Sequence, residues 1–159
     1  MSRVRTLALA CLTLAWLILS TVARCDEPKD IKPIASAEDM ERTSRFGPIH
    51  LTKVGVVIRS AEELVAQSPR PETAKDPKVQ KEMEAEMAKV LKVDAIDWKK
   101  QMILGVVGYD FDSLKTDAKT LTASYAPFNE PVTRAIPKTP KIVVLIERFD
   151  GEVKFVPKK

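Results

Sequence analysis

The order of hydrophobic patterns along the chain predicts an α+β fold, with one mostly antiparallel sheet of about five or six strands and two helices packed on one face. Three observations lead there. A helical stripe occupies residues 77–92, continuous apolar runs stand at Met102 to Val107 and at Ile142 to Ile146, and short turn-like segments separate the later β-rich pieces.

The chain opens with Arg3 and Arg5, an apolar run from Leu7 to Leu19, and then small and polar residues up to Cys25. This is the layout of a secretory signal. The run falls short of the about 20 apolar residues that span a bilayer as a helix, and charged residues from Asp26 onward end it. Small residues at the −3 and −1 positions allow cleavage after Ala23 or after Cys25. Residues 1–25 are thus read as a signal peptide, and the mature protein is expected in the periplasm or outside the cell. It meets the membrane only during export unless Cys25 is lipidated; Arg24 stands before Cys25 where the lipoprotein pathway wants a small residue.

Of the 26 Lys and Arg set against 22 Asp and Glu, three (Arg3, Arg5 and Arg24) leave with the leader, so the net charge falls from +4 to +1. That removes the basic excess that nucleic-acid binding uses against phosphate, and no nucleic-acid partner is expected. Cys11 departs too, which leaves at most one thiol and no intrachain disulfide. Stability must come from packing, for which a domain of this size buries enough surface.

Residues 26–52 are polar and interrupted by Pro28, Pro33, Gly47 and Pro48, and read as a linker with a helical turn around Ala37 to Arg42. A single α+β domain is expected over 53–159. It begins with a β-branched strand, Val54 to Ile58, in which Gly55 marks a bulge or a close approach. Ser60 and Glu63 have capping-box spacing: the Ser60 hydroxyl takes the N–H three residues on, and Glu63 reaches back to the N–H of Ser60, opening a short helix to Gln67. Residues 68–75, with Pro69 and Pro71, read as a loop.

Asp76-Pro77 starts the second helix, with Asp as N-cap and Pro at a position whose N–H has no helical partner. Val79, Met83, Met87, Val90 and Leu91 then form one helical stripe facing the sheet. Strands follow at Met102 to Val107, ended by Gly108, and at Thr120 to Ala126. Val132 to Ile136, bounded by prolines, fits an edge strand. Asp150-Gly151 between Lys141 to Phe149 and Glu152 to Val156 has the signature of a two-residue type I′ hairpin.

Reactive chemistry is sparse. His50 is the one histidine and falls in the linker, which excludes a site of several histidine ligands and a conventional Ser-His-Asp triad unless His50 folds back. No glycine-rich phosphate loop is present, and no cofactor is expected. Carboxylates remain: Asp110, Asp112 and Asp117 cluster after the Gly108 strand end, and Asp94 and Asp97 form a pair. An EF-hand loop starting at Asp110 fails because Lys115 and Leu121 stand where Gly and Glu are needed. Both groups also fit turn capping and solvated acids, and no metal ligand is assigned. Trp98 and Lys99, with Tyr109 and Phe111, put aromatic and basic character near the ends of one strand, and Arg148-Phe149 does so beside the last turn. Aromatics beside cations are common where proteins touch, because large rigid rings give contact area at low entropy cost, so these six are the candidate partner surface.

Val57-Ile-Arg-Ser-Ala-Glu-Glu-Leu64, Asp97-Trp98, the strand Met102 to Val107 with its Gly108 end, the later strands and the closing Val144 to Phe155 resemble the PrcB-like C-terminal domain. That family includes a subunit that stabilises an exported protease complex and many secreted bacterial proteins. The chain departs from the family where Tyr109-Asp-Phe-Asp-Ser113 stands in place of a turn with a glycine pair. The resemblance implies a small non-catalytic α+β module of the cell envelope that assists a partner protein, and it carries over no catalytic residue.

The expected function is therefore an exported, non-enzymatic binding or scaffolding domain of the bacterial cell envelope, stabilising a partner. Two alternatives stand beside it: a carboxylate- or metal-dependent hydrolase using Asp110, Asp112 and Asp117, and a small-ligand binder with a pocket between the methionine-bearing helix and the sheet.

Overall fold

A computed structural model describes residues 27–38, 51, 54–68, 70–127 and 141–158. In chain order the elements are β1 (Lys29–Asp30), β2 (Ala35–Glu38), β3 (Gly55–Ile58), α1 (Ala61–Ala66), a 3-10 turn (Pro71–Thr73), α2 (Pro77–Leu91), β4 (Gln101–Val107), β5 (Tyr109–Thr116), β6 (Thr120–Pro127), β7 (Lys141–Glu147) and β8 (Glu152–Pro157). The fold is α+β, and its strands are mostly antiparallel.

The strands divide into two four-stranded sheets, β2-β7-β4-β3 and β1-β5-β6-β8, where a single sheet of five or six was expected. Local geometry explains the division. Between β4 and β5 stands only Gly108, at φ 76°, and one residue is too few for a hairpin. This left-handed glycine instead turns the chain from the first sheet into the second, with β5 pairing antiparallel to β6. Every pairing is antiparallel except β6 with β8.

The first sheet forms the middle of three layers. Val56, Ile58, Ile103, Val143 and Leu145 face α1 and α2, where they meet Leu64, Val65, Met83, Met87 and Leu91. On the other face Met102, Leu104, Val144 and Ile146 meet Leu114, Leu121 and Ala123 of the second sheet. Alternate side chains of a strand point to opposite faces, so a strand covered on both sides must be apolar at every position. That is why β4 and β7 read as continuous runs, and both occupy central places. Removing one such side chain from water contributes about 1.5–3 kcal/mol.

The helix ends follow the sequence. Asp76 Oδ1 accepts from the Lys78 N–H at 2.9 Å, and Pro77 takes the first helical position. At the other end Lys92 is left-handed (φ 57°, ψ 41°). Its N–H donates to the Lys89 carbonyl at 3.1 Å and that of Val93 to Ala88 at 3.0 Å, the paired bonds of a Schellman motif. In α1 the Ser60 hydroxyl accepts from the Glu63 N–H at 3.1 Å. The Glu63 carboxylate takes the N–H of Arg59, one residue before the expected Ser60.

Further expectations change. Within the segment read as a linker, β1 and β2 pair with β5 and β7, and Leu51 is buried over Gly105. Pro28 and Pro33 lie outside these short edge strands, where no ladder N–H is demanded of them. Ala37 belongs to β2, not to a helical turn, while residues 39–42 lie outside the described ones.

Asp150-Gly151 is not a type I′ hairpin either: β7 and β8 belong to different sheets, and neither residue has a positive φ. Glycine is needed at 151 because a Cβ there would collide with the Lys119 carbonyl oxygen. Gly55 likewise answers to a close approach, since the Phe155 ring occupies the place of its missing Cβ. The segment read as a signal, with Cys11 and Cys25, His50 and the expected strand from Val132 to Ile136 lie outside the described residues. No helix among the described residues is long and apolar enough to cross a membrane.

Candidate functional site

The six residues of the candidate partner surface sit at two ends of the molecule. Trp98, Lys99, Arg148 and Phe149 lie where β4 begins and β7 ends, while Tyr109 and Phe111 lie beyond the far end of β4. Seven residues of strand separate the two groups by about 20 Å, so they do not share one surface.

At the first end, side chains staple three connections together. The Arg148 guanidinium donates to the Asp150 carboxylate at 2.7 Å, the Trp98 carbonyl at 2.6 Å and the Arg59 carbonyl at 3.3 Å. Arg59 returns the contact, donating to the carbonyls of Phe149 at 3.4 Å and Gly151 at 3.2 Å. The β3–α1 link, the turn before β4 and the β7–β8 turn are thereby fixed to one another. Charged donors on carbonyls make stronger bonds than neutral pairs, and arginine's fork serves several acceptors at once. Arg59 escaped the sequence reading because its partners are about ninety residues away and no local pattern joins them.

Trp98 is half-buried against the helix-side core, and its Nε1–H donates to Glu84 of α2 at 2.7 Å. Phe149 packs against the core between the sheets. Both aromatics serve the fold. What remains open is an exposed depression of about 530 Å³ lined by Ile34, Lys99, Lys100, Gln101, Glu147, Arg148 and Asp150. Ile34 is 47% exposed, a large apolar side chain at the edge of a charged hollow. The Asp97 carboxylate accepts from the Lys99 N–H at 3.0 Å and faces the Lys100 ammonium at 3.7 Å.

At the other end the Tyr109 and Tyr125 rings meet edge to face, 4.8 Å apart, and Phe111 packs between the sheets. Asp110 is exposed, and Asp112, at the irregularity between Phe111 and Ser113, forms an ion pair with Lys158. Asp117 stands at the opposite end of β5. There it closes the β5–β6 turn by accepting the N–H of Lys119 at 2.8 Å and of Thr120 at 2.7 Å. The three carboxylates of the hydrolase reading are therefore divided between the two ends. Among the described residues no group of three His, Cys, Asp or Glu side chains is placed to hold a metal.

Those backbone N–H groups, from Lys119 and then Thr120, hold the Asp117 carboxyl below its ordinary pKa. A folded-state pKa below the unfolded one adds stability that is full above the unfolded pKa, about 3.9, and is lost as pH falls through the folded pKa. Asp117→Ala should therefore destabilise the protein at neutral pH. The gap from wild type, measured by urea unfolding at a series of pH values, should narrow as the pH falls from about 5 to about 2.

The third reading placed a ligand between α2 and the sheet. That interface is filled by Met83, Met87 and Leu91 against Ile58, Ile103 and Leu145, each at most 2% exposed. A second depression, of about 540 Å³, is lined by Ser68, Arg70, Thr73, Lys78, Val79, Glu82 and Met83, with no residue of the sheet among them. The chain matches no protein-family model, and no curated protein or solved structure matches it either.

Proposed function

We propose that the protein is an exported, non-enzymatic binding or scaffolding domain of the bacterial cell envelope that works by contact with a partner protein and stabilises it. One observation carries the reading: the open charged depression at the end of the middle sheet, with Lys99, Lys100 and Glu147 around exposed Ile34, mounted on the arginine staple. A hollow this open suits a protein surface, where an apolar contact ringed by charged groups is the usual arrangement. Fixed walls add to this, because a preorganised site loses little freedom on binding. The dispersal of Asp110, Asp112 and Asp117 and the packed helix–sheet layer favour this reading over the hydrolase and the small-ligand binder.

The test is co-purification from the native envelope, comparing wild type with the double variant Lys99→Glu, Lys100→Glu. Both side chains are exposed, so the fold should persist. The wild type should retain a partner at fixed stoichiometry and the variant should lose about tenfold or more of it, since charge reversal at a contact costs several kcal/mol. Recovery of both as monomers without a partner would overturn the proposal.

A further inference from the structure

The edge of the second sheet carries a more specific message, which rests on the reading that this protein works by contact. β8 pairs with β6 on one side, and no described strand lies on its other side. The hydrogen bonds show which backbone groups face outward. The Glu152 N–H donates to the Lys119 carbonyl at 3.1 Å and the Lys158 N–H to Tyr125 at 2.8 Å, so even-numbered residues direct their N–H and C=O groups toward β6. Odd-numbered residues must direct theirs to the open edge. Of these, the Gly151 carbonyl is taken by Arg59 and Pro157 has no N–H. A window remains whose full donor and acceptor pairs belong to Val153 and Phe155.

Lys154 sits between them with its side chain on the solvent face, beside Glu152 at 3.2 Å and next to Val156, which is 40% exposed. An exposed ion pair of this kind contributes little and exchanges partners readily. A second copy is a poor occupant. The antiparallel two-fold pairing that uses both Val153 and Phe155 sets Lys154 opposite its own counterpart, and like charges directly opposite are destabilising. An acid opposite Lys154 has the reverse effect.

We infer that the outer edge of β8 is a docking site for an extended segment of a partner protein, added as one more strand and carrying a carboxylate opposite Lys154. Backbone hydrogen bonds to Val153 and Phe155 supply affinity, and the charge at Lys154 supplies selection.

The experiment uses two blocked heptapeptides alternating valine and threonine, one with a central glutamate and one with a central lysine, titrated into the 15N-labelled protein. With the glutamate peptide the Val153 and Phe155 amide signals should shift and their hydrogen exchange should slow. The lysine peptide should bind about three- to tenfold more weakly, and Lys154→Glu should reverse the order. Lys154 is exposed, so this variant should fold as the wild type does. The inference is overturned if neither peptide moves these signals at millimolar concentration, if both bind equally, or if the signals broaden with protein concentration alone, which would make a second copy the occupant. Partner retention through Lys99 and Lys100 with unmoved β8 signals would remove the edge site and leave the contact reading intact.

Discussion

Leu104→Ala is expected to lower the free energy of unfolding by about 2–5 kcal/mol, and Leu145→Ala by a similar amount. The two residues lie on opposite faces of the middle sheet, Leu104 against the second sheet and Leu145 against the helices, and both are fully buried. Each truncation removes transfer free energy and leaves a cavity that close-packed neighbours fill only in part. A sheet with one wet face loses stability from one side-chain parity alone, so equal losses from both are particular to the three-layer arrangement. In urea both variants should unfold at lower midpoints with the slope unchanged. Lys115→Ala, at an exposed position of β5, should stay within about 0.5 kcal/mol of wild type. A small loss at either leucine would place a wet face where none is expected.

Gly55→Ala is expected to cost about 1–3 kcal/mol, although alanine ordinarily suits a strand better than glycine does. The new Cβ would stand where the Phe155 ring lies, and that ring packs into the core between the sheets. No positive φ is involved at Gly55, so the cost is steric. Phe155→Ala, which removes the obstructing ring, should make the second substitution much cheaper. The double variant would then be more stable than the sum of the two single losses predicts, the sign of coupling for residues in direct contact. Additive losses would mean that Gly55 and Phe155 do not meet.

Features set by neighbouring residues were legible in advance. The stripe from Val79 to Leu91 follows helical periodicity, Ser60 and Asp76 cap where short polar side chains cap, and β4 from Met102 to Val107 and β7 from Ile142 to Ile146 carry no polar side chain because both their faces are covered. What depends on distant partners was not. Lys29–Asp30 and Ala35–Glu38 are too short and polar to announce themselves, and they become strands because β5 and β7 offer free edges. Gly108 reads as the end of a strand, but only the second sheet's presence makes it a corner.

The site shows the same divide. Aromatic and basic residue types singled out Trp98, Lys99, Tyr109, Phe111, Arg148 and Phe149, yet type alone does not say which way a side chain turns. Trp98, Phe111 and Phe149 turn toward the cores, Arg148 spends its donors largely on carbonyls, and Tyr109 pairs with Tyr125 at the far end. Lys99 remains on the open depression, joined by Lys100, Glu147 and Ile34, which carry no motif and are gathered there by the pairing of β4 with β7 and β2 with β7.

The proposal that this end of the molecule meets a partner is tested most directly by a photoreactive side chain at position 99, activated in intact cells that make the protein, with the same probe at position 82 on the outer surface of α2 as control. A discrete adduct with one protein from position 99, absent from position 82 and diminished when Lys100 is reversed to Glu, is the predicted result. Uncrosslinked monomer from both positions, or the same mixture of adducts from each, would contradict it.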